Sequence, residues 1–164
     1  KNGLGLLLWG SVGSGKSYMA ACVANELIKQ GADVKMTNFA TVLNDLFNCE
    51  DKNEYIRSLC RYSLLILDDL GIERNTEYSL ENLFNVIDAR YVSGKAMIIT
   101  TNLNLEELKN QKQLSLKRIY DRVLERCIPV CVSENDFRKD NRVEAKVKFG
   151  KIINGGKMDE EKYE

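Results

Sequence analysis

The sequence predicts an α/β domain built on one parallel sheet. Three observations carry this. Short apolar runs alternate along the chain with segments of helical period. The first run ends in Gly10-Ser11-Val12-Gly13-Ser14-Gly15-Lys16-Ser17, which fits G-x-x-x-x-G-K-[ST] at every fixed position. A later run, Leu64-Leu65-Ile66-Leu67, ends in two carboxylates, Asp68 and Asp69. Strands covered on both faces read as near-continuous apolar runs, and open α/β sheets bring their ligands to the carboxyl ends of such strands.

Residues 4–9 form the first such run. The glycines at 10, 13 and 15 then allow backbone conformations that a Cβ would obstruct, so that consecutive N–H groups converge on phosphate oxygens at a helix start. Lys16 is placed to reach the β- and γ-phosphates, and the Ser17 hydroxyl to ligate Mg²⁺. Gly10, Ser11, Val12, Gly13, Ser14, Gly15, Lys16 and Ser17, with Tyr18 directly after them, are the expected nucleotide-binding set. Met19, Ala20, Val23, Leu27 and Ile28 recur at helical spacing, and Gly31 marks a stop.

Residues 34–38 read as a second strand, and Phe39, Val42, Leu43, Leu46 and Phe47 as a helix face. A polar stretch then leads to a short helix holding Tyr55, Ile56 and Leu59. The run 64–67 follows as a buried strand that delivers Asp68 and Asp69 at its tip. Asp68 is the candidate Mg²⁺ ligand and Asp69 the group that orients the attacking water; the plainer reading is that Asp68-Asp69-Leu70-Gly71 only turns the chain. Leu80, Leu83, Phe84, Ile87 and Tyr91 line a helix over about 77–92 that Ser93-Gly94 ends. Residues 96–100 form another strand, followed by Thr101 and Asn102. Asn102 can bind a phosphate or water, or cap the turn at 105–108; from the residues alone, capping is the simpler reading.

In the helix at 115–126, Arg118, Arg122 and Arg126 lie at i, i+4 and i+8. Such a like-charge stripe costs about 0.2–0.5 kcal/mol per adjacent pair unless neutralised. Arginine suits bidentate phosphate recognition, but i, i+3 pairs of Arg118 with Asp121 and Arg122 with Glu125 would also settle it. Residues 128–132 read as the fifth strand. The tail 139–164 mixes charge with small residues and is expected to be partly disordered, which leaves one domain over 1–138.

Composition narrows the classes. With 164 residues and 44% hydrophobic content, one domain with one core is expected. Lys and Arg total 24 against 24 for Asp and Glu, so any nucleic-acid contact must be a local patch. The absence of histidine excludes His-based metal sites and His-centred triads, leaving Mg²⁺ on oxygen ligands. Cys22, Cys49, Cys60, Cys127 and Cys131 form no C-x-x-C pair, and the odd number fits reduced thiols and a cytoplasmic location. No apolar run approaches the roughly 20 residues of a membrane span. The start at Lys1-Asn2, almost on the first strand and without Met, reads as an excised domain.

Residues 10–17, the run 64–71 with its Asp-Asp-Leu-Gly, Thr100-Thr101-Asn102-Leu103, Arg118-Ile119-Tyr120-Asp121-Arg122 and Asp136-Phe137-Arg138 together resemble the AAA+ ATPases of the bacterial DnaC/DnaI helicase-loader type. The IstB-like transposition helpers are similar. The resemblance covers about residues 4–138. It implies a P-loop NTPase sheet of order 5-1-4-3-2 and hydrolysis of ATP with Mg²⁺; in a departure from many AAA+ proteins, the 26 residues after Arg138 are too few for a C-terminal lid domain. It implies Asn102 as sensor 1, Arg122 as an arginine finger acting in trans with Arg118 as helper, and Arg138 as sensor 2. Asp69 stands where many relatives carry Glu. The implied partners are single-stranded DNA, the replicative DNA helicase and further copies of the chain in a nucleotide-dependent homo-oligomer. The DNA would meet residues 37–47, where Phe39 can stack on a base or lie in the core. The alternatives are a transposition helper, a small-molecule kinase and a non-hydrolysing scaffold gated by nucleotide.

Overall fold

The computed structural model describes residues 3–71 and 76–132. The elements follow one another as β1 (Gly5–Trp9), α1 (Lys16–Lys29), β2 (Val34–Asn38), α2 (Phe39–Asn48), α3 (Lys52–Leu59), β3 (Leu64–Leu70), α4 (Glu77–Ser93), β4 (Ala96–Thr101), α5 (Leu105–Lys109), α6 (Leu114–Arg126) and β5 (Cys127–Cys131). Local chemistry sets the boundaries. Asn38, Asp51 and Thr76 cap α2, α3 and α4 by accepting from the backbone N–H groups of Thr41, Glu54 and Ser79. Gly94, at φ 69°, ends α4 in the left-handed conformation. The last strand begins one residue before the predicted 128–132, since Cys127 already pairs with Gly5. Arg138 and the segment 139–164 lie outside the described residues.

All strand pairs are parallel and the order is β2-β3-β4-β1-β5. Read from the other edge this is 5-1-4-3-2, with β4 between the strand before the glycine loop and the strand ending in Asp68. Alternation along each central strand feeds two layers. Leu7, Leu65, Leu67, Met97 and Ile99 pack with residues of α2 to α6, including Phe39, Val42, Leu83, Ile87, Ile119 and Val123. Leu8, Leu64, Ile66 and Ile98 pack with Ala20 and Ala24 of α1. Truncating one of these buried leucines to Ala costs about 2–5 kcal/mol. Because both faces are covered, the polar ends of the strands are where a ligand can be met. No helix among the described residues is long and apolar enough to cross a membrane.

Arg90 on α4 is fully buried. Its guanidinium donates to the carbonyls of Tyr62 (2.8 Å), Ser63 (3.1 Å), Leu59 (3.4 Å) and Ala96. Burial lowers its pKa. The side chain ties the end of α3 and the entry to β3 to the start of β4, fixing the register of the two strands whose tips carry Asp68 and Asn102.

Candidate nucleotide-binding site

The glycine loop is built for positive φ, at 147° for Gly10, 87° for Gly13 and 95° for Gly15. At Gly10 a Cβ would stand 2.5 Å from the carbonyl oxygen of Val132, and Val132 itself donates to Trp9 O at 2.9 Å. The end of β5 therefore walls the loop, and only glycine fits there. Lys16 is 5% exposed and donates to Gly10 O at 2.9 Å and to Ser11 O at 2.7 Å, which keeps its ammonium against the loop.

Two further observations fit an anion site. The Ser14 hydroxyl is buried and has no hydrogen-bond partner among the described residues, although such groups are normally satisfied. Helix α1, which follows Gly15, has no side-chain cap and no acid in its first turn; among the described helices only α6 shares this, since Asn38, Asp51, Thr76 and Asn104 cap α2 to α5. Uncapped N–H groups, the positive end of a helix and a buried lysine form a site for phosphate. Ser17 is half-buried, while Val12 and Tyr18 are exposed beside the loop.

At the tips of β3 and β4 the carboxylates meet hydroxyls. Thr100, fully buried, donates to Asp68 Oδ1 at 2.7 Å and accepts from the Asp69 N–H at 2.8 Å. Thr101, also fully buried, donates to Leu70 O at 2.7 Å. Asp69 is exposed and takes a left-handed φ of 59°. Sequence reasoning passed over both threonines. The signal was there in two consecutive hydroxyls closing a strand that is otherwise apolar.

Asn102 is half-buried directly after β4, and its reading as a helix cap is overturned. Asn104 caps α5 instead, in a reciprocal box with Glu107 (2.8 and 2.7 Å), because it is the residue directly before the helix. For a metal, the candidate donors are the Asp68 carboxylate and the Ser17 hydroxyl. Among the described residues no group of three or more His, Cys, Asp or Glu gathers to hold an ion. A single carboxylate and a hydroxyl suit Mg²⁺, a hard ion that keeps several waters and takes phosphate oxygens.

The arginine stripe is settled differently from the two i, i+3 pairs expected within α6, neither of which forms among the described residues. Arg122 Nη1 lies 2.7 Å from Asp88 Oδ1 on α4, the two side chains being 30% and 32% exposed. The same guanidinium lies over the rings of Phe84 and Tyr91, at 5.2 and 5.1 Å from their centroids. Arg118 lies over Phe84 and Arg126 over Tyr91. Glu125 is engaged by the Tyr91 hydroxyl, which donates to it at 2.7 Å and whose pKa is raised by that bond. The facing helix thus supplies the counter-charge and two aromatic faces. Phe39 is 1% exposed and belongs to the core, so it is not available for base stacking; Phe47 in the same segment is 76% exposed.

A profile described as IstB-like ATP binding protein matches residues 1–145. YdaV of Escherichia coli (strain K12) is 35% identical over 118 residues, 70% of this chain and 46% of YdaV. The replicative helicase loader DnaC of the same strain is 28% identical over 119 residues, 70% of this chain and 47% of DnaC. A crystal structure of DnaI shares the fold with a TM-score of 0.69 at 24% identity, covering 83% of this chain and 73% of the DnaI chain. The chain spans about half the length of the curated relatives it matches. Since the profile takes in most of the sequence and the strand order is that of the P-loop AAA+ fold, the chain belongs to the IstB-like ATP-binding protein family.

Proposed function

We propose that this chain is the ATPase module of a helicase loader, binding ATP with Mg²⁺ and acting with single-stranded DNA on a replicative hexameric helicase. The observation that carries the nucleotide part is the orphaned Ser14 hydroxyl beside Lys16 at the uncapped start of α1. Residues 10–17 would hold the triphosphate through backbone N–H groups, with Lys16 exchanging loop carbonyls for phosphate oxygens and Ser14 gaining its missing partner. Ser17 and Asp68 would hold Mg²⁺. A bound Mg²⁺ supplies charge neutralisation on the phosphates. Asp69 would take the proton of the attacking water, and Asn102, half-buried just past the tip of β4, would orient that water or the γ-phosphate.

Arg122 of a neighbouring copy would complete the site, and Arg118, exposed on the same face, would assist. The resemblance supports Arg138 as sensor 2. An arginine finger is worth about 10³–10⁵ in rate, so an isolated protomer should hydrolyse slowly and assembly should be the switch. In the segment 37–47, Phe47 is the exposed aromatic that a base could stack on. The likeness to DnaC supports the loader reading, and the family match supports a second one, a transposition helper ATPase of the IstB kind.

Pull-down of the host's replicative helicase by the full-length protein, with and without ATP, tests the loader reading. ATP-dependent recovery of the helicase, lost in Lys16→Ala, is expected. Recovery of a transposase in its place would reassign the protein to the second reading.

A further inference from the structure

The β3 and β4 ladder runs in register from Leu64 with Ala96 to Leu67 with Ile99, and resumes with Leu70 opposite Thr101. Between these points two residues, Asp68 and Asp69, face one, Thr100. This is a β-bulge, and its second residue holds the left-handed φ of 59°. In a regular strand consecutive carboxylates project to opposite faces; the bulge interrupts that alternation where the two acids stand. One hydroxyl bridges it. Thr100 Oγ1 donates to Asp68 Oδ1 at 2.7 Å and accepts from the Asp69 N–H at 2.8 Å, without exposure to water. Thr101 pins the far end through Leu70 O.

We infer that Thr100 is a positioning residue for the metal-binding carboxylate: its hydroxyl fixes Asp68 in one orientation while its acceptance of the Asp69 N–H holds the bulge that re-aims both acids. The hydroxyl has one donor and uses it on Asp68. It therefore selects one rotamer of a side chain that is only half-buried and would otherwise sample several. An ionised carboxylate has about four lone-pair sites, so Asp68 keeps ample capacity for a metal-bound water after accepting from Thr100. Hydrogen-bond partners that orient a ligating carboxylate typically contribute about 10–100-fold to metal affinity or activity.

The inference rests on the proposed role of Asp68 toward Mg²⁺, and the test separates the two. The affinity of the chain for a fluorescent ATP analogue is measured across a Mg²⁺ titration and in EDTA, with the melting temperature recorded for each variant. Thr100→Val is expected to need about 10–100-fold more Mg²⁺ for the half-maximal gain in affinity while its affinity in EDTA matches the parent. Thr100→Ser, which keeps the hydroxyl, should respond as the parent does. If Thr100→Val does not fold, Thr100→Ala removes the same hydroxyl with less bulk and decides the matter. A lowered melting temperature with a parental Mg²⁺ response would show a hydroxyl that only holds the strands together, and would overturn the inference. Asp68→Asn is the control: a shifted response there with none in the Thr100 variants leaves the Asp68 role standing and removes Thr100 from it. A parental response in Asp68→Asn removes both.

Discussion

Arg122 on α6 is paired with Asp88 on α4 at 2.7 Å and lies over the rings of Phe84 and Tyr91. The guanidinium is held by its own chain yet is 30% exposed, so part of it still faces outward. With one Nη at Asp88, donors remain for a phosphate from a second copy.

Arg122→Ala should leave ATP affinity unchanged while lowering ATP hydrolysis by about 10³–10⁵. It should also lose about 1–2 kcal/mol of stability with the ion pair and ring contacts. Steady-state hydrolysis, nucleotide titration and urea unfolding check these. Mixing with Lys16→Ala should restore activity if the arginine acts on a neighbour's site; assembly without restored activity would refute the trans role.

If a neighbour's phosphate engages Arg122 as proposed, Asp88 would draw on the same guanidinium charge. Asp88→Asn retains the side-chain shape without the charge, and a partly exposed ion pair is worth about 0.5–1 kcal/mol. The protein concentration giving half-maximal ATPase activity should therefore fall about two- to fivefold. A rise would mean that Asp88 holds Arg122 in its working position.

Asp69 combines a catalytic expectation with a backbone one. Asparagine tolerates the left-handed region as aspartate does, so Asp69→Asn should fold and bind ATP normally while hydrolysis falls by about 10²–10⁴. Asp69→Ala should in addition lose about 1–2 kcal/mol of stability, because alanine carries the full cost of positive φ. Equal stability of the two variants would argue against the bulge.

Arg90→Met should lower stability by about 3 kcal/mol or more, since the buried carbonyl of Leu59 and the partly buried carbonyls of Tyr62, Ser63 and Ala96 lose a charged donor together. Urea unfolding checks it; a loss below about 1 kcal/mol would mean that these carbonyls find other donors.

Burial pushes the Cys127 thiol up to about 12. At pH 8, alkylation should mark exposed Cys22 and Cys131 and spare Cys127 until the chain is unfolded. The unfolded thiol ionises near about 8.5, so between there and 12 the folded state binds more protons than the unfolded one. This contribution to stability is full below about pH 8.5 and is lost as the pH rises toward 12. Urea midpoints at pH 8 and 10, compared with those of Cys127→Ala, should show a smaller decline in the variant.

Local chemistry made much of this protein readable from its residues. The glycine loop was legible because phosphate binding by backbone N–H groups needs glycines and a lysine at fixed spacing, and that demand lies within eight consecutive positions. The strands were legible because burial on both faces forces runs such as 64–67 and 96–100. The expected inner order of the sheet, with β4 beside β1, came from family likeness and was met by the parallel pairings of Leu7 with Ile99 and of Leu67 with Ile99.

Only the tertiary structure decided which residue answers which. Arg122 finds Asp88 rather than Glu125 because a facing helix offers a carboxylate together with the rings of Phe84 and Tyr91, and Asp88 lies more than thirty residues away in sequence. Asn104 rather than Asn102 caps α5, since the cap falls to whichever residue stands directly before the first helical turn. Thr100 reaches Asp68, and Arg90 the carbonyls around β3, across chain separations that no period in the sequence records. Short-range demands are written where they act; pairings between distant elements exist only once the sheet has set their register.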